Sequence, residues 1–356
     1  MGEIMTKIFD FKNNIDTDKL ISIGQALRDG GLIVFPTETV YGIGANAFDE
    51  IAVNKIFVAK GRPTDNPLIV HVSNKDMINS VAKNINKIEQ KLIDNFMPGP
   101  ITIILKKQHN IPNNVTCNLD TVGVRMPENE IARKIINEAG VPIAAPSANI
   151  SGKPSGTNIK DIQSELVNKV DYIIDGGICE IGLESTVVKV ENDVVNILRP
   201  GKITSEDISS IGLKVKLDSH IFNDVKDGEK IESPGMKHKH YAPNAKSLLI
   251  EFNSDNMVDI IKRIIKNNEK KYNKIAVIGF NEHEKFFKDF YDIEFIPFGS
   301  INNLYEISSN IFTSLRKIDI KNVDFCIIEG VKKEGIGIAI MNRLLRACSY
   351  NIETGL

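Results

Sequence analysis

Aromatic residues are scarce in this chain: tryptophan is absent, and aromatic side chains make up only 6% of the sequence. Modules that read single-stranded RNA stack bases on aromatic side chains set among basic ones, and no such motif is present. The net charge is only −2, from 44 lysines and arginines against 46 aspartates and glutamates. The chain is therefore not a bulk polyelectrolyte binder, although an RNA-binding module with a local basic concavity stays open as an alternative function.

Cysteines and long apolar runs are also scarce. None of the four cysteines pairs with another at the spacing of a metal site or a redox motif, which favours a reducing, cytoplasmic location. No apolar run approaches the roughly 20 residues that span a membrane, and the start of the chain lacks the apolar core of a signal peptide. We expect a cytoplasmic protein without a membrane segment, and its 356 residues suggest two domains.

A strand and a polar loop organise the first half of the chain. The apolar run from Leu32 to Phe35 predicts a buried strand, and Pro36 ends it because proline cannot donate to a sheet ladder. Two hydroxyls, a carboxylate and a phenol follow at positions 37–41. Gly42 and Gly44 come next, and we expect them to let the backbone approach a ligand closely.

A second polar loop begins at Lys60 and precedes an apolar strand that carries His71. Lys60 and Arg62 flank a glycine, and two interpretations fit equally well: a cationic loop for polyphosphate, or favourable cations at the negative end of a helix. His71 fits a packed strand residue better than a side chain that enters a pocket beside Thr39. Glu38 fits an acceptor of backbone N–H groups better than a general base.

A third loop, at residues 147–157, is dense in hydroxyls, an amide and glycines, which are groups that bind anions such as phosphate. Arg125 and Arg199 lie in or just after predicted strands, and a buried arginine needs a carboxylate or phosphate partner. Together with the Lys60 loop, these features favour a nucleotide site. Neither a Walker A sequence nor a Gly-x-Gly-x-x-Gly fingerprint after a strand is present, so the site must be of another type.

Strands and helices alternate through both halves of the chain and predict an α/β fold. We place a first domain at residues 14–201, a linker at 202–245 and a smaller α/β domain at 246–350. Within the linker, residues 233–243 are bracketed by prolines and rich in cations, which predicts a structured strap rather than a flexible tether. We expect Lys237, His238, His240 or Tyr241 of this strap to reach the nucleotide or the mouth of the first-domain pocket.

The first domain resembles the threonylcarbamoyl-AMP synthase family in five segments: PTETVYGIG (36–44), KGRPTDNPL (60–68), SANISGKPS (147–155), ESTVV (184–188) and RPG (199–201). Two further segments resemble the long form of that family: SPGMKHKHYAP (233–243) and GIAIMNRLLRA (337–347). The resemblance implies a YrdC-like domain, an open twisted mixed sheet, followed by a smaller Rossmann-like α/β domain. It implies a nucleotidyltransferase that makes L-threonylcarbamoyl-AMP from L-threonine, bicarbonate and ATP and releases pyrophosphate.

The resemblance also implies the residues of the site. Around threonine it places Thr39, His71, Thr121, Arg125 and Ser185. Around ATP it places Lys60, Arg62, Asn66, Ala145, Ser147, Asn149, Ser155, Arg199, His238 and Tyr241. Lys60, Arg62 and Arg125 are the residues implied for catalysis, and we expect Mg²⁺ to be carried by the ATP phosphates, without a metal site made of protein ligands.

The implied product serves the threonylcarbamoylation of a tRNA adenosine next to the anticodon, through a partner transferase. The sequence leaves open whether tRNA binds this chain directly.

Overall fold

The computed structural model describes residues 5–223, 233, 241–252, 256–290 and 293–354. Within this part of the chain the fold consists of two α/β units, which confirms the predicted class. The first unit contains the described residues up to 151 and those from 155 to 233. The second contains residues 152–154 and those from 241 onward.

The first unit is built on a mixed sheet. Its strands are β1 (Lys7–Asp10), β2 (Ile33–Phe35), β3 (Gly42–Asn46), β4 (Ile69–His71), β5 (Ile101–Lys106), β6 (Thr121–Arg125), β7 (Ile143–Ala144), β8 (Tyr172–Asp175), β9 (Thr186–Glu191), β10 (Val194–Arg199) and β11 (Val215–Leu217). Among the described residues, these eleven strands lie in the order β1-β8-β2-β3-β7-β4-β6-β5-β9-β10-β11. The pair β4–β6 is parallel and the neighbouring pair β5–β6 is antiparallel, so the centre of the sheet is mixed.

Helices join these strands. They are α1 (Thr17–Arg28), α2 (Glu50–Lys60), α3 (Lys75–Val81), α4 (Lys87–Phe96), α5 (Asn113–Thr116), α6 (Glu130–Ala139), α7 (Ile159–Leu166) and α8 (Ser205–Ser210). Side-chain caps fix several of the starts; for example, Asn129 accepts from the backbone N–H of Ala132 at α6. The apolar faces of α1 and α6 pack around Phe35 and Ile143 in one core cluster. Full burial of a side chain of this kind stabilises the fold by roughly 1.5–3 kcal/mol. This packing holds the end of β2 in place, and the loop after β2 begins there.

Gly42 and Gly44 lie in β3, where their missing side chains leave room for core packing; that they also let the backbone approach a ligand stays a prediction. A Cβ atom at Gly44 would lie 2.6 Å from Ile143 Cγ2 and 2.8 Å from Phe35 Cε1. A Cβ atom at Gly42 would lie 3.2 Å from the Phe35 ring. The two glycines therefore let β3 pass directly over this ring, because any larger side chain would collide with the core.

The second unit is built on a parallel sheet. Its strands are β12 (Lys246–Ile250), β13 (Ile275–Phe280), β14 (Ile293–Gly299), β15 (Phe325–Glu329) and β16 (Ile352–Glu353), and its helices are α9 (Met257–Asn268), α10 (Leu304–Ile320) and α11 (Ile336–Ala347). In the described residues the strand order is β14-β13-β15-β12-β16, and every neighbouring pair is parallel. This arrangement confirms the Rossmann-like α/β class expected for the C-terminal part. Within the described chain, no helix has both the length and the apolar character needed to span a membrane.

Candidate active site

The register of the first sheet places several predicted site residues on one face. His71 of β4 is paired with Arg125 of β6. The neighbouring strands continue this row of paired residues. Thr102 of β5 is paired with Val187 of β9, and Val187 is paired with Arg199 of β10. Directly paired residues project from the same face of a sheet. The row therefore brings an imidazole, two guanidinium groups and a hydroxyl to one surface.

Arg125 is the centre of a buried cluster on this face. Its Nη1 donates to Thr39 Oγ1 at 2.9 Å, and its Nη2 lies 2.7 Å from Glu38 Oε1. Thr39 Oγ1 is 2.8 Å from Thr37 Oγ1, and the Thr37 hydroxyl donates to the carbonyl oxygen of Val40 at 2.6 Å. Because the Thr37 proton is already used, the Thr39 hydroxyl must donate to Thr37. The loop after β2 thus holds a hydroxyl and a carboxylate against a buried cation, the arrangement that suits a small ionic ligand.

His71 is buried beside this cluster and is uncharged at neutral pH. Its Nδ1 lies 3.3 Å from the carbonyl oxygen of Ile69, and its ring meets the Phe35 ring edge-on with 6.0 Å between centroids. Burial, and then the positive charge of Arg125, lower the pKa of His71 to about 3. These contacts agree with a packed strand residue, and the ring adds no charge to the cluster.

The lowered pKa of His71 predicts a loss of stability in acid. The folded-state pKa of about 3 lies below the unfolded value of about 6.5, so between these values the unfolded chain binds a proton that the folded chain does not. The stability contributed by the neutral ring is complete above about pH 6.5 and is lost as the pH falls toward 3. We expect His71→Gln to lessen the decrease in Tm between about pH 7 and pH 4. Thermal unfolding at both pH values tests this; parallel decreases in the two proteins would contradict it.

A second buried cluster joins Ser185 to Arg199. The Arg199 guanidinium donates to the Ser185 carbonyl oxygen from Nε at 3.1 Å and from Nη2 at 3.0 Å, and Nη2 also donates to Ser185 Oγ at 3.2 Å. On its other side, Ser185 Oγ lies 2.8 Å from Thr102 Oγ1. A Cβ atom at Gly201 would lie 2.4 Å from the backbone nitrogen of Thr186. The Arg-Pro-Gly segment therefore clamps the start of β9, and only glycine fits at its last position.

Lys60 is buried and ends α2, so the polar loop predicted to begin at Lys60 starts one residue later. It is 1% exposed, and its Nζ donates to the carbonyl oxygen of Ser147 at 2.5 Å and to that of Asn149. The Lys60 carbonyl accepts from the backbone N–H of Ser151 at 2.9 Å, and Ser147 Oγ donates to Asn149 Oδ1 at 2.6 Å. The ammonium group therefore holds the third loop in shape, and at the same time it places a positive charge under that loop.

Two carboxylates complete the support of the third loop. Glu165 Oε2 accepts from the backbone N–H of Ile150 at 2.7 Å. Ser155 Oγ donates to Glu184 Oε1 at 2.6 Å, and both side chains are buried. Charge-assisted hydrogen bonds of this kind are worth roughly 1.5–3 kcal/mol each, so the loop is held by fixed partners along its length.

The polar loop after α2 closes on itself. Arg62 Nη2 donates to the carbonyl oxygen of Asn66 at 3.2 Å and approaches that of Pro67 at 3.5 Å. Asn66 is buried, whereas Arg62 is half-buried. The long distances indicate that these two hydrogen bonds are weak.

Four predicted site residues remain, of which the structure describes three. Thr121 shares the face of Arg125 but lies at the other end of β6, roughly 13 Å away at about 3.3 Å per residue, beside a small, largely apolar cavity. Ala145 packs its side chain into the core, and its N–H donates within the sheet. Tyr241 is buried in the second unit against an aromatic ring. His238 lies outside the described residues.

Sequence reasoning did not single out three residues that support the site: Thr37, Thr102 and Glu184. Thr102 is the one hydroxyl in the apolar run ITIIL, and Glu184 directly precedes Ser185. A polar side chain inside an otherwise apolar strand needs a buried hydrogen-bond partner. This rule could have singled out Thr102 from the sequence, although it does not identify the hydrogen-bond partner.

Comparisons with known proteins agree with these observations. Residues 25–201 match a family described as telomere recombination, and residues 203–349 match one described as the C-terminal domain of threonylcarbamoyl-AMP synthase. The chain is 40% identical over 348 residues to threonylcarbamoyl-AMP synthase from Pyrococcus abyssi, which covers 98% of this chain and 99% of that protein. It is 38% identical over 328 residues to threonylcarbamoyl-AMP synthase from Bacillus subtilis, with 92% of each chain covered.

Solved structures are also similar. The crystal structure of Pyrococcus abyssi Sua5 complexed with L-threonine matches with a TM-score of 0.92 and 39% identity, over 99% of this chain and 100% of that one. The crystal structure of Escherichia coli YciO matches with a TM-score of 0.50 and 25% identity, over 55% of this chain and 96% of that one. The fold implied by the sequence motifs is thereby confirmed.

Proposed function

The chain belongs to the threonylcarbamoyl-AMP synthase family, and we propose that it converts L-threonine, bicarbonate and ATP into L-threonylcarbamoyl-AMP and pyrophosphate. The observation that carries the proposal is the buried contact of Arg125 with Thr39 at 2.9 Å. The Arg125 guanidinium offers a positive charge to an amino-acid carboxylate. The Pyrococcus abyssi member of the family was crystallised with L-threonine. A planar guanidinium matches the geometry of a carboxylate.

The proposed threonine site comprises Thr39, His71, Thr121, Arg125 and Ser185. Arg125 binds the carboxylate, and the Thr39 and Ser185 hydroxyls orient the ligand from the two buried clusters. The neutral His71 ring forms an uncharged wall. Thr121 lies roughly 13 Å along the strand from Arg125, so the two residues would approach a shared ligand from opposite ends.

The proposed ATP site comprises Lys60, Arg62, Asn66, Ala145, Ser147, Asn149, Ser155 and Arg199 of the first unit; the contribution of His238 and Tyr241 stays a prediction from the sequence. The cations offset the charge of the phosphates, while the third loop supplies hydroxyls and backbone N–H groups. We propose that Mg²⁺ arrives on the ATP phosphates and neutralises their charge. In the described part of the chain, no group of three or more His, Cys, Asp or Glu side chains is arranged to hold a metal ion.

The reaction suits these residue types. Threonine carbamate is unstable in water, so it must form in a closed site beside its acceptor phosphate. Its carboxylate oxygen attacks the α-phosphate, and the bond from that phosphate to pyrophosphate breaks. Such a displacement depends on alignment and charge neutralisation, which Lys60, Arg62 and Arg125 supply, more than on a covalent nucleophile. We propose that a partner transferase then moves the threonylcarbamoyl group to a tRNA adenosine next to the anticodon.

Substrate omission tests the proposed activity. We expect the protein to release pyrophosphate from ATP only when L-threonine and bicarbonate are both present, because the carbamate is the attacking group. A coupled pyrophosphate assay measures this, with each substrate left out in turn. L-serine is the matched control amino acid, since it lacks only the methyl group. Equal release with L-serine, or with no amino acid, would reject the substrate assignment.

A further inference from the structure

Glu38 is a buried carboxylate whose hydrogen-bonding capacity is unused. It is 6% exposed, and neither oxygen accepts a hydrogen bond from the described residues. Arg125 Nη2 lies 2.7 Å from Oε1, so the two groups form an ion pair, whereas Oε2 has no hydrogen-bond donor in the described chain. The Nε and Nη2 atoms of Arg125 also lack hydrogen-bond acceptors in the described chain. Leaving such groups unsatisfied in the interior is costly, so a buried pair with spare donors and acceptors calls for a ligand that uses them.

The charges around Glu38 match those of an amino acid. Arg125 contributes one positive charge and Glu38 one negative charge, and Thr39 adds a hydroxyl 2.9 Å from the guanidinium. The neighbouring titratable groups are uncharged at neutral pH, because burial lowers the pKa of His71 to about 3 and raises that of the Cys179 thiol to about 12. A zwitterion carries its carboxylate and its ammonium group on one carbon, so one adjacent cation and anion complement it.

We propose that Glu38 binds the ammonium group of the substrate amino acid and accepts the proton that this nitrogen must lose before it is carboxylated. The inference rests on the proposed function. It assigns to Glu38 the role of a general base, whereas the sequence favoured an acceptor of backbone N–H groups. In this arrangement Arg125 binds the substrate carboxylate and Glu38 binds the substrate ammonium group. Each member of the ion pair at 2.7 Å thereby gains a second partner of opposite charge.

An ammonium nitrogen has no lone pair, so one N–H bond breaks and its proton moves to a Glu38 oxygen. The freed lone pair forms a bond to the carbon of bicarbonate, and one C–O bond of bicarbonate breaks. The departing hydroxide takes a second proton from the nitrogen and leaves as water, which yields the carbamate anion. Glu38 then returns its proton to solvent. A carboxylate held within hydrogen-bond reach of the nitrogen can accept its proton as a general base.

Ligand substitution separates this role from a structural one. The probe pair is L-threonine and 2,3-dihydroxybutanoate, which has a hydroxyl in place of the ammonium group and keeps the carboxylate. Calorimetry measures the binding of each ligand to the full-length wild-type protein and to Glu38→Gln. We expect the substitution to lower the affinity for L-threonine about ten- to a hundredfold. The affinity for the hydroxy acid should stay constant or increase, because Arg125 no longer shares its charge with Glu38.

The pH dependence tests the proton transfer itself. Without Glu38 the reaction depends on the small fraction of threonine whose amine is already deprotonated. The threonine kcat/KM of Glu38→Gln should therefore increase up to about tenfold per pH unit, more steeply than that of the wild type. Glu38→Asp is the second variant, since it keeps the charge on a shorter chain, and it should retain the preference for L-threonine over the hydroxy acid.

Two results would overturn the inference. Equal losses of affinity for both ligands would mean that Glu38 only holds Arg125 in place, and parallel pH profiles would remove its role as proton acceptor. If Glu38→Gln does not fold, the same two ligands are compared on Glu38→Asp. Equal affinities of Glu38→Asp for L-threonine and for the hydroxy acid would reject the role. Pyrophosphate release by the wild-type protein is measured alongside. If this release depends on threonine, the proposed function holds even when the role of Glu38 is rejected.

Discussion

Replacement of Arg125 by alanine is expected to abolish threonine-dependent pyrophosphate release while ATP still binds. The guanidinium contacts Thr39 at 2.9 Å and Glu38 at 2.7 Å in a buried cluster. Two charge-assisted hydrogen bonds to a substrate carboxylate, at roughly 1.5–3 kcal/mol each, correspond to about a 10²- to 10⁴-fold loss in threonine kcat/KM. The substitution also leaves Glu38 as an unpaired buried charge, so the free energy of unfolding should fall by about 3–5 kcal/mol.

Three measurements make the Arg125 result interpretable. Pyrophosphate release at saturating ATP reports on threonine, calorimetry with a nucleotide reports on ATP, and thermal unfolding shows that the variant is folded at the assay temperature. Arg28→Ala is the matched control, because Arg28 is a surface arginine of α1 whose guanidinium donates to the carbonyl oxygen of Glu138 at 2.6 Å. It should keep wild-type kinetics. Loss of ATP affinity with an unchanged threonine response would show that Arg125 belongs to the nucleotide end of the site.

Replacement of Lys60 by alanine is expected to weaken ATP binding and also to destabilise the first unit. The Lys60 ammonium group donates to the carbonyl oxygens of Ser147 and Asn149 and is almost fully buried. Its loss frees the third loop and removes a positive charge from beneath it. With charge-assisted hydrogen bonds at roughly 1.5–3 kcal/mol, the affinity for ATP should fall about a hundredfold, and Tm should fall as well.

The control for Lys60 comes from the same helix. Lys55 of α2 donates from Nζ to the carbonyl oxygen of Gly30 at 2.7 Å, so Lys55→Ala removes the same type of contact outside the third loop. It should lower Tm with little effect on ATP affinity. Arg62→Ala is the complementary variant, and we expect it to lower ATP affinity because it removes a cation from the polar loop after α2. A Lys60 variant with lower Tm but wild-type nucleotide affinity would confine Lys60 to a structural role.

Local sequence features predicted the α/β class and the positions of the three polar loops. Proline and glycine often end strands and helices, and apolar runs mark buried strands, so both signals act within a few residues. The same reasoning predicted that Arg125 and Arg199 need partners, because an isolated buried guanidinium is costly. It did not identify those partners, since Thr39 is 86 positions from Arg125 along the chain.

The use of each polar group was decided only by the tertiary structure. The amino-acid sequence by itself determined which residue types each loop presents, and through the family motifs it determined the expected chemistry. The strand order β4-β6-β5-β9 decided that Ser185 contacts Thr102, and the packing of α2 against the third loop decided that the Lys60 charge is buried. Glu38 shows the same division: its carboxylate is visible in the sequence, but its spare hydrogen-bonding capacity depends on surroundings assembled from distant strands. The physical reason is that backbone preferences are set by neighbours in the chain, whereas charges and hydrogen bonds are satisfied by whatever the folded sheet brings within about 3 Å.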